Sequence, residues 1–142
     1  IARIFNTYGP KMAFDDGRVV TNFIHQAINN QDITIFGDGS QTRSFSFIED
    51  TLEGILKILN HESSDVFNIG NDYEITINDL ANKIIHLTKS NSKIINKDLP
   101  IDDPKQRKPD LSKARKILGY EPKYDLETGL KETIGWFQEN YK

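Results

Sequence analysis

The chain has no cysteine among its 142 residues. That excludes a disulfide scaffold, thiolate zinc or iron–sulfur sites and a thiol nucleophile, and it fits a reducing, cytoplasmic setting. Excess positive charge is lacking too: 18 Lys and Arg against 21 Asp and Glu leave a net charge of −3. Nucleic acid and anionic membrane surfaces are therefore not expected as partners, and any anion bound must be held by a local group of residues. No stretch of about 18 consecutive apolar residues is present, so no membrane segment is predicted in this chain. His25, His61 and His86 are far apart and have no carboxylate or second histidine at ligand spacing. No metal site is expected. Asp15, Asp16, Asp102 and Asp103 lack the calcium-loop pattern and read as solvated turns.

Catalytic signatures are missing as well. Gly37-Asp38-Gly39 has no third glycine and no helix start behind it, which makes it neither a dinucleotide fingerprint nor a phosphate loop. There is no Gly-x-Ser-x-Gly elbow, and no tyrosine is followed by lysine four positions later. No catalytic residue is predicted. The opening Ile1-Ala2-Arg3-Ile4-Phe5 has no initiating Met and no basic leader, and it reads as the middle of a strand. The expectation is a piece of a longer protein.

Short apolar runs alternate with amphipathic helices, without repeats, predicting an α/β architecture built on a single region, 1–142. Strands are expected over Ala2–Phe5, Ile33–Phe36, Arg43–Ile48, Val66–Ile69 and, weakly, Ser92–Asn96. Asn6–Pro10 reads as a turn and Leu99–Pro109 as an exposed loop. Helices are expected from Val19, from Asp50 as cap with Glu53 as its capping-box partner, from Thr76 with Asp79, after Asp110 up to Gly119, and from Asp125. Leu52, Ile55, Leu56 and Leu59 read as the core stripe of the second helix.

Three arginines fall at turns or helix starts: Arg18 before an apolar helix, Arg43 after Gly37–Thr42, and Arg107 just ahead of Asp110. A guanidinium is a planar bidentate donor suited to phosphate, and three on separate loops of an acidic chain suggest an anion clamp. The competing reading is ordinary surface arginine, solvated or paired with Asp38 or Asp103.

Together these loops resemble a known family. Arg3-Ile4-Phe5-Asn6-Thr7-Tyr8-Gly9-Pro10, Gly37-Asp38-Gly39-Ser40-Gln41-Thr42-Arg43-Ser44-Phe45 and Asn68-Ile69-Gly70-Asn71 are similar to the C-terminal half of extended short-chain dehydrogenases/reductases, the NAD-dependent epimerase/dehydratase superfamily acting on nucleotide sugars. Asp16-Gly17-Arg18-Val19-Val20 and Asp102-Asp103-Pro104 through Arg107-Lys108-Pro109-Asp110 resemble the UDP-glucuronate decarboxylases (UDP-xylose synthases) within it. The resemblance implies a C-terminal substrate-binding domain with a late strand of the Rossmann sheet, the N-terminal Rossmann part with its NAD loop and Tyr-x-x-x-Lys being absent from this chain. It implies an NAD-dependent lyase that converts a UDP-glucuronate substrate to UDP-xylose and CO2 through a 4-keto intermediate, as a homodimer. Asn6 would reach the sugar diphosphate, Ile35 and Phe36 would flank the uracil, and Arg43 and Arg107 would embrace diphosphate and ribose. Arg18 would open the substrate-facing helix, and Phe5 and Thr7 would lie near the nicotinamide. Tyr8 and Asn68 are weaker candidates, each with a packing or strand-capping role as the alternative. The alternatives for the chain as a whole are another nucleotide-sugar epimerase or dehydratase, a stand-alone UDP-sugar-binding module, or an interaction domain without ligand.

Overall fold

Val20, Phe23, Ile24 and Ala27 recur on one face of the first helix and are all buried, and the same logic of one dry face builds most of the molecule. The computed structural model describes residues 1–98 and 104–141. In chain order the elements are β1 (Ala2–Ile4), β2 (Thr7–Tyr8), α1 (Val19–Ile28), β3 (Ile33–Phe36), β4 (Thr42–Ser44), β5 (Ser46–Phe47), α2 (Ile48–Leu59), β6 (Phe67–Ile69), β7 (Glu74–Thr76), α3 (Ile77–Thr88), β8 (Ile94–Lys97), β9 (Gln106–Arg107), α4 (Ser112–Leu118) and α5 (Leu126–Asn140). Parallel pairs join β1 to β6, β2 to β5 and β3 to β8, while β4 lies between antiparallel β7 and parallel β9. The architecture is α/β, as expected.

Two apolar clusters hold it. The larger gathers Phe23 and Ile24 of α1, Ile33 and Ile35 of β3, Leu80 and Ile84 of α3, and Leu130, Ile134 and Phe137 of α5 around Tyr8, Phe45 and Phe47. The smaller joins Phe67 and Ile69 of β6 to Leu111, Ala114 and Tyr120. The Tyr120 hydroxyl donates to the Gly70 carbonyl at 2.7 Å, and burial pushes its pKa up to about 12.

Thr76 caps α3 by accepting the Asp79 N–H at 3.0 Å, Asp125 caps α5 by accepting that of Thr128 at 2.9 Å, and Gly119 ends α4 at φ +59°. The Asp110 carboxylate accepts the Ser112 N–H at 2.9 Å, although the backbone cap of α4 is Leu111.

Several expectations are corrected. Arg43–Ile48 is not one half-buried strand: β4 pairs with β7 and β9, β5 pairs with β2, and Arg43 through Phe47 are all buried because the chain passes from one sheet to another. Asn6–Pro10 contains β2, and the described end of the 99–109 loop contains β9; residues 99–103, with Asp102 and Asp103, lie outside the described residues. Asp50 does not cap α2, which begins at Ile48 behind Phe47. It is buried and accepts the backbone N–H groups of Lys123 at 2.8 Å and Tyr124 at 3.1 Å, fixing the turn that leads into α5. Glu53 pairs with Lys57 and Lys123. Leu52, Leu56 and Leu59 face outward at 50%, 58% and 73% exposure, because α2 turns Asp50, Thr51 and Gly54 inward.

The glycines of α5 separate packing from propensity. A β-carbon at Gly129 would collide with the Tyr8 hydroxyl and come within 2.8 Å of the Phe47 ring, whereas one at Gly135 meets nothing within 4 Å. Gly135→Ala should stabilise by about 0.5–1 kcal/mol, the helix penalty of glycine. Gly129→Ala should destabilise by about 1–3 kcal/mol through overpacking. Thermal unfolding of both variants is the check: a Tm that falls for Gly135→Ala, or rises for Gly129→Ala, contradicts this packing.

Candidate functional site

The C-terminal ends of β1, β3 and β8 open on one cavity of about 890 Å³, walled on its other sides by α1, β4 and β9. Phe5, Asn6, Thr7, Arg18, Ile35, Phe36, Arg43 and Arg107 all line it. Eight residues from five separate segments thus meet in a single space. Tyr8 lines it as well, whereas Asn68 does not: its amide donates to the Asp110 carbonyl at 3.0 Å.

Each side chain is placed by local chemistry. Gly17, at φ +77° with open space around it, lets the chain turn so that Arg18 becomes the first residue of the α1 entry. Asp16 secures that turn, accepting the Arg18 N–H at 2.9 Å and the Thr21 hydroxyl, and its carboxylate lies 3.6 Å from the Arg18 guanidinium. Arg18 remains about two-thirds exposed. Asn6 sits between β1 and β2; its amide donates to the Ser44 carbonyl at 3.2 Å, and its own carbonyl accepts the Ser46 N–H at 2.9 Å. Thr7 donates its hydroxyl to the Phe5 carbonyl and contacts the Thr51 hydroxyl, each at 2.9 Å. Tyr8 is buried against Phe45 and Phe47 and donates to the Leu126 carbonyl at 3.2 Å; burial drives its hydroxyl pKa well above the usual tyrosine value.

Ile35 is buried, and Phe36, half exposed at the strand end, forms the adjoining wall. The turn after it is held by the Gln41 amide on the Phe36 carbonyl at 2.8 Å and the Asn78 amide on the Asp38 carbonyl at 2.8 Å. Gly39 is required there: it sits at φ +76°, and a β-carbon would strike the Asn78 side chain.

Arg43 is only 7% exposed, and its guanidinium donates to the Thr42 carbonyl at 2.7 Å. It stands opposite Arg107 in the β4–β9 register. Residues paired across strands project to the same face, so the two guanidinium groups share one side of the sheet. Lys97, which the sequence reading missed, adds a fourth cation from the β8 end, opposite Phe36. Its place is a matter of strand pairing and carries no local signature. Among the described residues the cavity lining holds Arg18, Arg43, Lys97 and Arg107 and no Asp or Glu. In a chain of net charge −3, this is a local concentration of positive charge.

The histidines stand elsewhere. His25 packs against Phe14 with ring centres 3.9 Å apart and planes tilted by 55°, and His61 shares a hydrogen bond with Ser63 at 2.9 Å. Among the described residues no group of three potential metal ligands comes together, and no helix is long and apolar enough to cross a membrane.

An α/β chain that gathers cations at the carboxyl ends of parallel strands is of the class that binds nucleotides in such a crevice. The chain belongs to the family described as GDP-mannose 4,6 dehydratase, which it matches over residues 1–133, within the extended short-chain dehydrogenases/reductases. It is 46% identical over 139 residues to UDP-glucuronic acid decarboxylase 4 of Arabidopsis thaliana, an alignment covering 98% of this chain and 31% of that protein. It is 43% identical to UDP-glucuronic acid decarboxylase 1 of Xenopus tropicalis, covering 98% and 33%. The chain therefore spans about a third of the length of these curated relatives. The fold superposes on UDP-glucose 4-epimerase from Thermotoga maritima, solved with UDP-glucose, at a TM-score of 0.94 and 30% identity, covering 99% of this chain and 46% of that one. On the UDP-glucuronic acid 4-epimerase of Bacillus cereus, solved with UDP-glucuronic acid and NAD, the values are 0.91 and 29%, covering 99% and 45%.

Behind the arginine pair, Arg115 fastens α4 to the loop after β6. Its guanidinium donates to Asp72 at 2.7 and 3.1 Å and to Glu121 at 2.6 and 2.8 Å, and those hydrogen bonds hold both carboxyls below the usual range. A depressed carboxyl pKa contributes stability that is present above the unfolded value of about 4 and is lost as pH falls through the folded one. All three groups are partly exposed, so the effect is about 1 kcal/mol or less. Arg115→Ala should lower the urea midpoint at pH 7 and differ less from the parent chain at about pH 3. An equal gap at both pH values would contradict the pairing.

Proposed function

We propose that this chain is the UDP-sugar-binding part of an NAD-dependent UDP-glucuronate decarboxylase, the parent enzyme forming UDP-xylose and CO2. The carrying observation is the cavity where Arg18, Arg43, Lys97 and Arg107, with no carboxylate in the lining among the described residues, meet the apolar wall of Ile35 and Phe36. Its volume is in the range of small-molecule sites. Support for the particular sugar comes from the relatives at 43–48% identity named as UDP-glucuronic acid decarboxylases.

In this reading Arg43 and Arg107 hold the diphosphate bidentately. The buried Arg43 sets position, and the more exposed Arg107 closes over it. Phe36 and Ile35 flank the uracil, where backbone groups of the strand end can pair with its imide. Asn6 reaches the sugar end, and Arg18 approaches from the α1 side. Such remote contacts hold the reacting sugar in place and convert binding energy into rate.

NAD, when bound in the whole enzyme, supplies reversible hydride acceptance at sugar C4, which makes the C5 carboxylate a β-keto acid able to release CO2. The residues present fit only the edge of such a cofactor. Phe5 and Thr7 reach the cavity from the strand end, and the Thr7 proton is engaged with the Phe5 carbonyl, so these residues offer packing rather than proton transfer. The chain alone is expected not to catalyse, and the parent is taken to be a cytoplasmic homodimer. The exposed stripe of Leu52, Leu56 and Leu59, with Ile4 at 54% exposure, is taken as the seat of the nucleotide-binding half of the parent.

Calorimetric titration of the chain with UDP should show weak but saturable binding. Arg107→Ala should weaken it about tenfold, the worth of one charge-assisted contact to phosphate. Joined to a nucleotide-binding half, the chain should release CO2 from UDP-glucuronate. Turnover of another nucleotide sugar without CO2 would move the assignment to an epimerase or dehydratase. No UDP binding at all would remove it.

A further inference from the structure

Arg43 and Arg107 occupy one face of the three-stranded sheet; the opposite face carries a clasp. Thr42 pairs with Thr76 and Gln106 in register, and Ser44 pairs with Glu74, so these side chains share the side facing away from the two arginines. Glu74 lies across the small middle-strand residues. Its carboxylate accepts the Thr42 hydroxyl at 2.8 Å and the Gln106 amide at 2.6 Å, and stands 3.4 Å from the Lys108 ammonium. One side chain on β7 therefore grips β4 and reaches over it to both sides of Arg107 on β9. These partners, the Gln106 amide first, keep the carboxyl below its usual range and so ionised.

The need for such a tie follows from the strands. β4 is central, and Arg43 on it is buried among partners on both sides. β9 is a two-residue edge strand, Gln106 and Arg107, both exposed. Two further ties are the Thr42 N–H on the Lys105 carbonyl at 3.0 Å and the Ser44 hydroxyl on the Arg107 carbonyl at 3.5 Å. So short an edge strand has little backbone bonding to fix its register, and a charge-assisted hydrogen bond is roughly twice as strong as a neutral one.

We infer that Glu74 is a positioning residue for substrate binding, clamping β9 from behind so that Arg107 stays opposite Arg43 across the anion site. The inference rests on the UDP-binding reading above. It makes a specific claim about coupling: Glu74 acts through Arg107 and not through Arg43, which the central strand already fixes.

The test is a set of UDP titrations of the 142-residue chain, with Tm recorded for each variant. Glu74→Ala should weaken UDP binding about fivefold. Glu74→Gln keeps an acceptor oxygen but loses the charge facing Lys108, and should weaken binding about twofold. Added to Arg107→Ala, Glu74→Ala should have almost no further effect; added to Arg43→Ala, it should have its full effect. That pattern separates positioning from general destabilisation, which would add equally to both arginine variants. If Arg107→Ala weakens binding while Glu74→Ala and Glu74→Gln do not, or if the Glu74 effect adds in full to Arg107→Ala, the inference is overturned and the UDP-binding reading stands. If the unaltered chain does not bind UDP, both fall.

Discussion

The six residues from Thr42 to Phe47 serve two sheets at once, and the site depends on that double duty. The first three are the middle strand of one sheet, the last two pair with β2, and Phe45 lies between. Every residue from Arg43 onward in this stretch is buried. A segment buried on both sides must satisfy its polar groups from within. Ser46 accepts the Thr51 hydroxyl at 3.2 Å, its N–H reaches the Asn6 carbonyl, and Arg43 donates to the carbonyl of its own neighbour. The contacts that make the crossing tolerable also tie Asn6 to Ser44 and Ser46, the residues beside Arg43 and Phe45, and so bring Asn6 and Arg43, 37 positions apart, to one cavity.

The cavity shows how an acidic chain gathers positive charge in one place. Its three charged strand positions, Arg43, Lys97 and Arg107, come from strands that are distant in sequence, while carboxylates are turned to other work. Asp16 secures the α1 entry, Glu74 grips the back of the sheet, and Asp72 and Glu121 hold Arg115. Each acid is close enough to brace the structure around the cations, yet none lines the cavity. Net charge is a poor guide to such a site, because the field at the ligand is set by the nearest few groups.

The helices were legible in the sequence because their information is local. Apolar spacing fixed α1, α3 and α5, and the Thr76 and Asp125 caps use the side-chain oxygens that the pattern named. The short strands were not legible. β2, β7 and β9 have two or three residues each and exist because a partner lies beside them; no period can be read from so few positions. Lys97 escaped notice for the same reason, and Glu74 because its partners Thr42, Gln106 and Lys108 lie on or just beyond other strands. Asp50 shows the opposite failure: Asp50 with Glu53 has the spacing of a capping box, but the helix starts two residues earlier and the carboxylate serves a turn 73 positions away. The eight site candidates came from loops matched to a family, and the pattern of those loops carried long-range information that residue spacing alone does not hold.

The same helix carries the last step. α2 places Asp50 and Thr51 inside, beside Ile48 and Ile58 that pack on the two apolar clusters, and Leu52, Leu56 and Leu59 outside. The inner polar groups are stable because each has a partner: the backbone of Lys123 and Tyr124 for Asp50, and the Thr7 and Ser46 hydroxyls for Thr51. The outer leucines leave half or more of their surface uncovered in this chain. An exposed apolar stripe on a helix whose inner face is already packed suits a second interface. On the proposed reading, α2 stands between two layers: its polar side organises the β2–β5 pair that carries Thr7, and its apolar side faces the half of the enzyme that would bring the cofactor to that residue.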